Sequence, residues 1–392
     1  MTSLLTRSAE KTAVLVDFAT SRDVAALRQL YFTVYGNAYP VRLGSCPTAM
    51  AAALDDPGVR WLVARSARTG EIVGSAILRG DSTARIGKIE GVVVHPDHSG
   101  MGIARALLSE LCEDALGQNG ALDSVYATAR CTSPAPQRAL MRHGLRPLGL
   151  LPGAVELQGR ETLALVVRHR EAVLAHRAPI GEVPDQVVPL LDAARDAGGI
   201  VFDGVRPRSA APNVRPRPQA EPIEVIQAAG FVSRRFSEAH GDDTALLPLG
   251  VPNVLLTPPD GRFEAYGSID TDGGCGALLD VEPSADALGD SLGAVVQAMA
   301  DRGATYVETL LPLADCERLT RYLAHGFVPS AVYPAMRCDD GEWHDYIVLT
   351  HTTGRPDFRG LALDARFIPY LDQYSRSWTS TYLNTLPEEP QR

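Results

Sequence analysis

The chain has 392 residues, which is too long for one ordinary hydrophobic core and indicates two domains. Its formal net charge of −10 argues against broad binding to the phosphate backbone of nucleic acids, because such binding needs a basic surface. Six cysteines stand far apart without a CxxC pair, so neither a metal site nor a disulfide framework is predicted. The first residues are polar and no stretch approaches the ~20 apolar residues of a membrane helix, so we expect a cytoplasmic protein without a membrane partner.

Strand and helix patterns alternate through the first part of the chain. A short strand is predicted at 14–18, and Ser21 is predicted to cap a helix that ends near Tyr35. The other elements predicted here are a helix over 47–54, strands near 61–64, 71–78, 86–95 and 124–129, a helix over 134–143, and strands near 148 and over 162–167. This alternation predicts an α/β fold with a mixed sheet (α+β).

The clearest helix of the chain lies between the strands near 86–95 and 124–129. Its apolar residues recur at i, i+3, i+4, i+7, i+8 and i+11, which is one stripe at helical period. These residues are Ala104, Leu107, Leu108, Leu111, Cys112 and Ala115. The pattern predicts an amphipathic helix that ends near 117–120.

The second half of the chain repeats this order in weaker form. It follows a helical pattern over 171–197 and a segment, 205–218, in which four arginines stand among four prolines. That composition predicts an extended surface linker. The later elements predicted are a strand over 276–281, a helix over 291–302, a strand over 306–311 and a helix over 315–325.

Two short segments, one in each half, are alike. They are Arg142-His-Gly-Leu-Arg-Pro147 and Ala324-His-Gly-Phe-Val-Pro329. Each follows a short predicted helix and leads into an apolar strand. We therefore predict two copies of one α/β fold, related by duplication.

A glycine-rich loop separates the strand near 86–95 from the clearest helix. Gly100 and Gly102 carry no Cβ, so a ligand can approach the backbone closely. Unpaired N–H groups at the start of the helix favour an anion there, and a pyrophosphate fits. A tight turn without a ligand is the simpler explanation for the two glycines alone. The segment matches neither a P-loop nor the dinucleotide-binding fingerprint.

The strand, turn and loop together resemble the coenzyme-A motif of the GNAT acyltransferase superfamily. Val92-Val-Val-His-Pro-Asp97 is similar to the family's strand and turn, and Ser99-Gly-Met-Gly-Ile-Ala104 is similar to its Arg/Gln-x-x-Gly-x-Gly/Ala loop. Ser99 departs from this pattern, which weakens one side-chain contact and keeps the backbone cradle. The resemblance implies an acyl-CoA cosubstrate, acetyl-CoA first of all, and no metal. The implied coenzyme-A contacts are Val92, Val93, Val94, Ser99, Gly100, Met101, Gly102, Ile103 and Ala104.

The resemblance covers about 12–170 well and about 222–352 weakly. It implies a tandem arrangement similar to that of mycothiol synthase, here with the N-terminal copy as the working one. We expect a GNAT acyltransferase domain over 1–170, a helix and Pro/Arg-rich linker over 171–221, a degenerate GNAT-like domain over 222–352, and a C-terminal tail over 353–392 that packs across the domains.

By resemblance, a backbone N–H of a splayed strand holds the thioester carbonyl, and this N–H falls within Val92–Val94. Gly91 in this β-branched strand is consistent with a β-bulge. Glu90 stands six residues before Pro96, where many family members carry the general base. A carboxylate in this apolar run is expected to be partly desolvated. The alternative is that Glu90 lies on a solvated strand face or pairs with an arginine.

The general acid stays open. The family often places a tyrosine four residues before the glycine that ends the last helix, but the first half has Leu140 there. Tyr126, Cys131, Ser133 or a water could replace it. His95, His98 and His143 are further candidates, although an exposed or packing role is the simpler explanation for each histidine. In the second half Tyr322 stands at the tyrosine position and is a candidate acid, although a packed aromatic residue is the simpler explanation.

The second copy is predicted not to bind coenzyme A. Aligning Pro283 with Pro96 places Ala277 at the position of Glu90, and the segment 284–291 lacks a Gly-x-Gly pair. That segment carries two aspartates, whose charges would repel a pyrophosphate. We expect this copy to shape the acceptor pocket instead.

These features predict an N- or O-acyltransferase that moves an acyl group from acyl-CoA directly to a small-molecule acceptor. An acyl carrier protein could present the same phosphopantetheine arm, either for acyl transfer or for decarboxylation of a malonyl-type thioester. A third alternative is a non-catalytic acyl-CoA-binding regulatory protein, which the missing tyrosine favours. The acceptor and the acyl group are not readable from the sequence.

Overall fold

The computed structural model describes residues 3–4, 14–36, 46–156, 159–209, 221–240 and 251–383. The chain divides into two compact units. The first unit consists of residues 1–129, 135–146 and 166–173, and the second consists of residues 130–134, 147–165 and 174–392. Within the described residues, no helix is both long enough and apolar enough to span a bilayer. In the same part of the chain, no three His, Cys, Asp or Glu side chains are grouped so that they could hold a metal ion.

The first unit is built on a sheet whose strands follow the chain order from β1 to β6. Neighbouring strands from β1 to β5 are antiparallel, and β5 and β6 are parallel. The strands are β1 (Ser3–Leu4), β2 (Val14–Phe18), β3 (Val59–Ser66), β4 (Ile72–Asp81), β5 (Ile86–Val94) and β6 (Ser124–Arg130). The helices of this part of the chain are α1 (Val24–Tyr35), α2 (Pro47–Leu54), α3 (Ile103–Leu116) and α4 (Pro134–Met141). The predicted elements lie within a few residues of these bounds.

Helices cover both faces of this sheet. On one face α1 and α2 enclose a buried apolar cluster: Leu27, Leu30, Tyr31, Met50, Ala53, Val59, Trp61, Val63, Ile77 and Val93. On the other face α3 packs against β3, β4 and β5. A Cβ added to Gly74 of β4 would lie 2.5 Å from Ile103 Cγ2. The missing side chain of Gly74 therefore allows the start of α3 to lie directly on the sheet.

The prediction that Ser21 caps the first helix is wrong. Residues Ser21–Asp23 form a single 3-10 turn, and its N-cap is Thr20. The Asp23 carboxylate accepts hydrogen bonds from the Thr20 N–H at 2.8 Å and from the Thr20 hydroxyl at 3.0 Å. Arg65 Nη2 donates to the same carboxylate at 2.8 Å. Thr20 has a carboxylate three residues later to complete a capping box, whereas Ser21 has only Val24 at that distance.

Replacing Asp23 with asparagine should lower the free energy of unfolding at neutral pH by about 1–2 kcal/mol, because the capping carboxylate is lost. Burial raises the pKa of Asp23, but hydrogen bonds from Arg65 and Thr20 outweigh burial and hold the pKa below its ordinary value of 3.8. The carboxylate therefore stabilises the fold above that value, and this contribution is lost as the pH falls through the lowered pKa. Urea denaturation of both proteins across pH should show the difference shrinking in acid. A difference independent of pH would contradict the expectation.

The second unit contains a longer sheet with the strand order β8-β7-β16-β17-β15-β14-β13-β12-β11. These strands are β7 (Arg146–Glu156), β8 (Arg160–His169), β11 (Glu224–Ile226), β12 (Val254–Thr257), β13 (Glu264–Asp270), β14 (Cys275–Glu282), β15 (Tyr306–Pro312), β16 (Val328–Asp339) and β17 (Glu342–Thr352). A separate parallel pair is formed by β9 (Glu182–Pro184) and β10 (Arg206–Arg208). The helices are α5 (Val188–Gly198), α6 (Ala229–His240), α7 (Leu292–Ala300), α8 (Cys316–Ala324) and α9 (Ile368–Tyr382). The residues at the start of β7 and the end of β8 belong to the first unit.

The helix predicted over 171–197 is broken in the structure. Only its last part is α-helical, as α5, and the rest forms two 3-10 turns and β9. Pro179 and Pro184 explain the interruption, because a proline in a helix interior removes a hydrogen bond and clashes with the preceding turn. The predicted linker begins as the exposed strand β10, and its residues 210–218 lie outside the described residues.

The predicted domain boundaries stay a prediction. The sequence places residues 147–165 in the first domain, but in the structure they group with the second unit. The reason is that β7 pairs with β16 through Gly149 and Ala331. A Cβ added to Gly149 would lie 2.4 Å from Ala331 Cα, so only glycine allows this approach.

The C-terminal tail forms α9 within the second unit. Tyr370 Oη donates to the Pro147 carbonyl at 2.7 Å, and Tyr382 Oη donates to the Gly326 carbonyl at 2.7 Å. Residues 384–392 lie outside the described residues. Packing of the tail across the domains stays a prediction.

The two units share a local pattern, and the predicted duplication stays a prediction. Gly144 and Gly326 follow short helices and have φ values of +80° and +89°. They lead into β7 and β16, as the two similar segments predict. In each unit a parallel strand pair, β5–β6 or β14–β15, also adjoins an antiparallel pair with a shift in register.

Candidate functional site

A β-bulge interrupts β5 at Gly91. Glu90 lies opposite Ile77 of β4, and Val93 lies opposite Ser75, so β5 has one more residue than its partner between these pairs. Gly91 has a φ of +61°, in the left-handed region that glycine adopts without strain. The bulge predicted from Gly91 is confirmed.

β5 and β6 separate beside this bulge. Their parallel pairing ends at Ile89 and Ala127, although both strands continue beyond these residues. On the opposite side, the His95 N–H donates to the Val73 carbonyl of β4 at 2.9 Å. Because hydrogen bonding alternates along an antiparallel ladder, the Val94 N–H points away from β4. A gap therefore opens between β5 and β6, and a backbone donor of β5 faces it.

The glycine loop after β5 leaves open space at the start of α3. Gly100 and Gly102 have φ values of +75° and +84°, and a Cβ added to either would meet no atom within 4 Å. The first hydrogen bond of α3 runs from the Ala106 N–H to the Gly102 carbonyl at 3.0 Å. The N–H groups from Ile103 to Arg105 therefore have no acceptor within the helix. Together with the helix dipole, they form a cradle suited to an anion.

The predicted coenzyme-A contacts lie in two places of the first unit. Val92, Val93 and Val94 follow the bulge, and the Val93 side chain is buried in the cluster under α1 and α2. In the loop, Met101 is exposed, whereas Ile103 is buried against Gly74 and can offer a ligand only its N–H. The roles of these residues in binding stay a prediction.

Glu90 lies at the bulge with its carboxylate between two cations. Arg79 Nε is 3.5 Å from Oε1, and Lys88 Nζ is 3.6 Å from Oε2. The Glu90 side chain is 19 % exposed, which agrees with the expected partial desolvation. The pairing with an arginine is the alternative that the sequence left open, and the structure shows both features. A carboxylate has about four acceptor positions, so two cationic partners leave room for a substrate N–H.

Two of the candidate replacements for the missing tyrosine acid, Tyr126 and Cys131, lie in buried positions. Leu140 is part of the buried core, and Tyr126 is buried on β6. Cys131 is buried too, and it belongs to the second unit. Burial raises the pKa of the Cys131 thiol to about 12. Such a thiol holds its proton too tightly to donate it readily near neutral pH.

Tyr322 belongs to the second unit, whereas Glu90 belongs to the first. The Tyr322 side chain is buried in α8, and its ring meets the Phe327 ring edge-on at a centroid distance of 5.1 Å. Burial raises the pKa of Tyr322 to about 12. This packing agrees with the simpler explanation of Tyr322, and its role as an acid stays a prediction.

Polar side chains that the sequence pattern does not predict lie beneath the bulge. Tyr31 of α1 donates a hydrogen bond to the Gly91 carbonyl. The Tyr31 hydroxyl is in turn hydrogen-bonded to Ser75 of β4, and Ser75 accepts a hydrogen bond from Trp61 of β3. Tyr31 and Trp61 stand at positions with core periodicity, so their pattern predicts apolar packing only. Three distant segments supply this group, and no local signal identifies it.

Residues 23–145 match the family model described as Acetyltransferase (GNAT) family. The matched region contains the bulge, Glu90 and the whole glycine loop. It ends before β7 and includes none of the second half.

Solved structures similar to this chain include spermidine N-acetyltransferase SpeG from Vibrio cholerae in complex with CoA and spermine. The two sequences are 16 % identical, the match covers 40 % of this chain and 95 % of the SpeG chain, and the TM-score is 0.35. A second structure, spermidine/spermine N-acetyltransferase SpeG from Vibrio cholerae with manganese ions, is 15 % identical, with coverage of 41 % and 95 % and a TM-score of 0.35. Similarity of this degree assigns no substrate. No curated relative matches the chain.

Proposed function

We propose that this protein transfers an acyl group from acyl-CoA to an amine or hydroxyl of a small molecule, because residues 23–145 match the GNAT acetyltransferase family model. Acetyl-CoA is the proposed donor. The observation that supports this best is the gap between β5 and β6, beside the Gly91 bulge and followed directly by the open glycine loop. A slot between strands suits an extended pantetheine arm, and the loop suits a pyrophosphate.

The proposed reaction uses backbone groups and one carboxylate. A backbone N–H within Val92–Val94 polarises the thioester carbonyl. The acceptor nitrogen or oxygen attacks the carbonyl carbon, the new C–N or C–O bond forms, and the C–S bond to coenzyme A breaks. Glu90 takes the proton that the acceptor loses, directly or through water. The departing thiolate takes a proton from water, and Glu90 returns the proton that it accepted to the hydroxide left behind.

We also propose that the second unit does not bind coenzyme A. Ser291, the N-cap of α7, donates to the Glu221 carboxylate and accepts from Arg262. A carboxylate of the chain itself therefore stands at the helix start where a pyrophosphate would need to bind. In the segment before α7, Asp286 accepts a hydrogen bond from Arg321 Nη1 of α8 at 2.9 Å. Calorimetric titration should give one coenzyme A per chain, and two equivalent sites would contradict this proposal.

Thiol release tests the proposed function. The full-length protein is incubated with acetyl-CoA and a panel of amines and alcohols, and free coenzyme A is measured. The same acyl group on an acyl carrier protein, and malonyl-CoA with detection of released CO₂, are run in parallel. Release that depends on an acceptor supports the transferase.

The remaining outcomes separate the alternatives. Release only from the carrier-bound thioester would make a carrier protein the donor, and acceptor-independent CO₂ release would indicate a decarboxylase. Binding of acetyl-CoA without release for any acceptor would indicate a regulatory protein. Mass spectrometry of a ligand retained through purification would narrow the acceptor panel.

A further inference from the structure

Three buried polar side chains form a directed chain of hydrogen bonds beneath the bulge. Trp61 Nε1 donates to Ser75 Oγ at 2.8 Å, Ser75 Oγ lies 3.4 Å from Tyr31 Oη, and Tyr31 Oη donates to the Gly91 carbonyl at 2.8 Å. A tyrosine hydroxyl has a single proton, so Ser75 must be the donor to Tyr31. All three side chains are at most 2 % exposed. The donors therefore run in one direction and end at the backbone of the bulge.

The Gly91 carbonyl needs this partner. The bulge takes the peptide out of the regular ladder, and a partly buried carbonyl without a hydrogen bond is costly. Gly91 also makes room for the donor, because an added Cβ would lie 2.6 Å from Tyr31 Oη and 2.9 Å from Ile77 Cδ1. The left-handed glycine and the tyrosine of α1 therefore fit each other.

A planar trans peptide places its C=O and its N–H in opposite directions. Tyr31 draws the Gly91 carbonyl towards the α1 face of the sheet, so the Val92 N–H is directed to the opposite side. Rotation of this peptide would change the direction of the Val92 N–H together with that of the carbonyl. A hydrogen bond that fixes the direction of the Gly91 carbonyl therefore also fixes the direction of the Val92 N–H.

We propose that Tyr31 is a positioning residue for acyl transfer: by holding the Gly91 carbonyl, it aims the Val92 N–H at the thioester carbonyl of the bound donor. This inference rests on the proposed function and deepens it, since it selects one donor among Val92–Val94. Tyr31 itself touches neither donor nor acceptor. Its effect reaches the reaction only through the Gly91–Val92 peptide.

The test compares Tyr31→Phe with Asp23→Asn in the full-length protein. Tyr31→Phe keeps the ring in the core and removes the donor to Gly91, whereas Asp23→Asn weakens the start of the same helix without contact to the bulge. Tyr31→Phe should lower kcat at least tenfold, which is about 1.4 kcal/mol of barrier, with the Kd for acetyl-CoA unchanged. Asp23→Asn should keep kcat.

Infrared spectroscopy of acetyl-CoA labelled with ¹³C at the thioester carbonyl measures the stretching frequency of that carbonyl. A change in the stability of the protein does not by itself change this frequency. Bound to the wild-type protein, this carbonyl should absorb at lower frequency than in solution, and Tyr31→Phe should lose most of that shift. NMR of protein labelled with ¹⁵N-valine gives a second measurement that needs no variant. The Val92 amide should shift further with acetyl-CoA than with coenzyme A, because only acetyl-CoA carries the thioester carbonyl.

Equal kcat values and equal carbonyl shifts in wild type and Tyr31→Phe would overturn this inference and leave the proposed function standing. The same holds for a Val92 amide that does not distinguish acetyl-CoA from coenzyme A. If the wild-type protein neither binds acetyl-CoA nor releases its thiol, the proposed function fails, and the role of Tyr31 fails with it.

Discussion

Replacing Glu90 with glutamine should slow acyl transfer by roughly 10²- to 10⁴-fold while acetyl-CoA still binds, because the amide keeps the shape of the side chain and cannot accept the acceptor's proton. The position of Glu90 supports this expectation. It directly precedes Gly91 of the bulge, where the thioester would lie, and it is only partly exposed. Steady-state kinetics with the best acceptor, together with calorimetric titration of acetyl-CoA, measures both parts. Near-normal turnover of Glu90→Gln across the pH range would remove Glu90 from the mechanism.

Arg79→Gln is the matched control for this experiment. It breaks the 3.5 Å contact to Glu90 Oε1 and keeps the carboxylate in place, with Lys88 still on the other oxygen. The Arg79 side chain is 39 % exposed, so solvent screens the contact and it contributes only about 0–1 kcal/mol to folding. A loss of activity in Arg79→Gln as large as that in Glu90→Gln would show that the ion pair matters and not proton transfer to Glu90.

Gly102→Glu should abolish coenzyme-A binding without unfolding the protein. The new side chain has open space, since a Cβ at Gly102 meets no atom within 4 Å. Its carboxylate would lie beside the unpaired N–H groups at the start of α3. There it would accept their hydrogen bonds and repel a pyrophosphate. The left-handed backbone adds a cost of about 1–2 kcal/mol to folding, which thermal denaturation would detect. Calorimetry that shows unchanged affinity in Gly102→Glu would reject the loop as the binding site.

Gly199→Glu is the control for Gly102→Glu, because it adds the same charge and the same backbone strain at a position outside the glycine loop. Gly199 also has a left-handed φ, +62°, and no atom within 4 Å of an added Cβ, and it ends α5 in the second unit. The variant therefore carries the same backbone strain and the same charge away from the glycine loop. It should resemble Gly102→Glu in stability and the wild-type protein in coenzyme-A affinity.

Local sequence was sufficient where neighbouring residues alone decide the conformation. The apolar stripe from Ala104 to Ala115 predicted α3, which spans Ile103–Leu116, because helical period depends only on spacing within one segment. Gly91 predicted the bulge, and the pair Gly100 and Gly102 predicted the open turn, since glycine adopts positive φ without strain. The helix predicted over 171–197 forms only at its end, because Pro179 and Pro184 interrupt the segment before α5.

Only the tertiary structure decided which distant groups meet. No spacing within the chain relates Tyr31 to Gly91, yet the packing of α1 on the sheet brings them within 2.8 Å. The cations around Glu90 come from β4 and β5, and strand pairing selects Arg79 for that place. β7 likewise pairs with β16 because Gly149 lets the two backbones come close together. The periodicity of the sequence gives no sign of this pairing. Sequence determines conformations that form within a segment, whereas partners separated by tens of residues are selected by packing and by the need to satisfy buried polar groups.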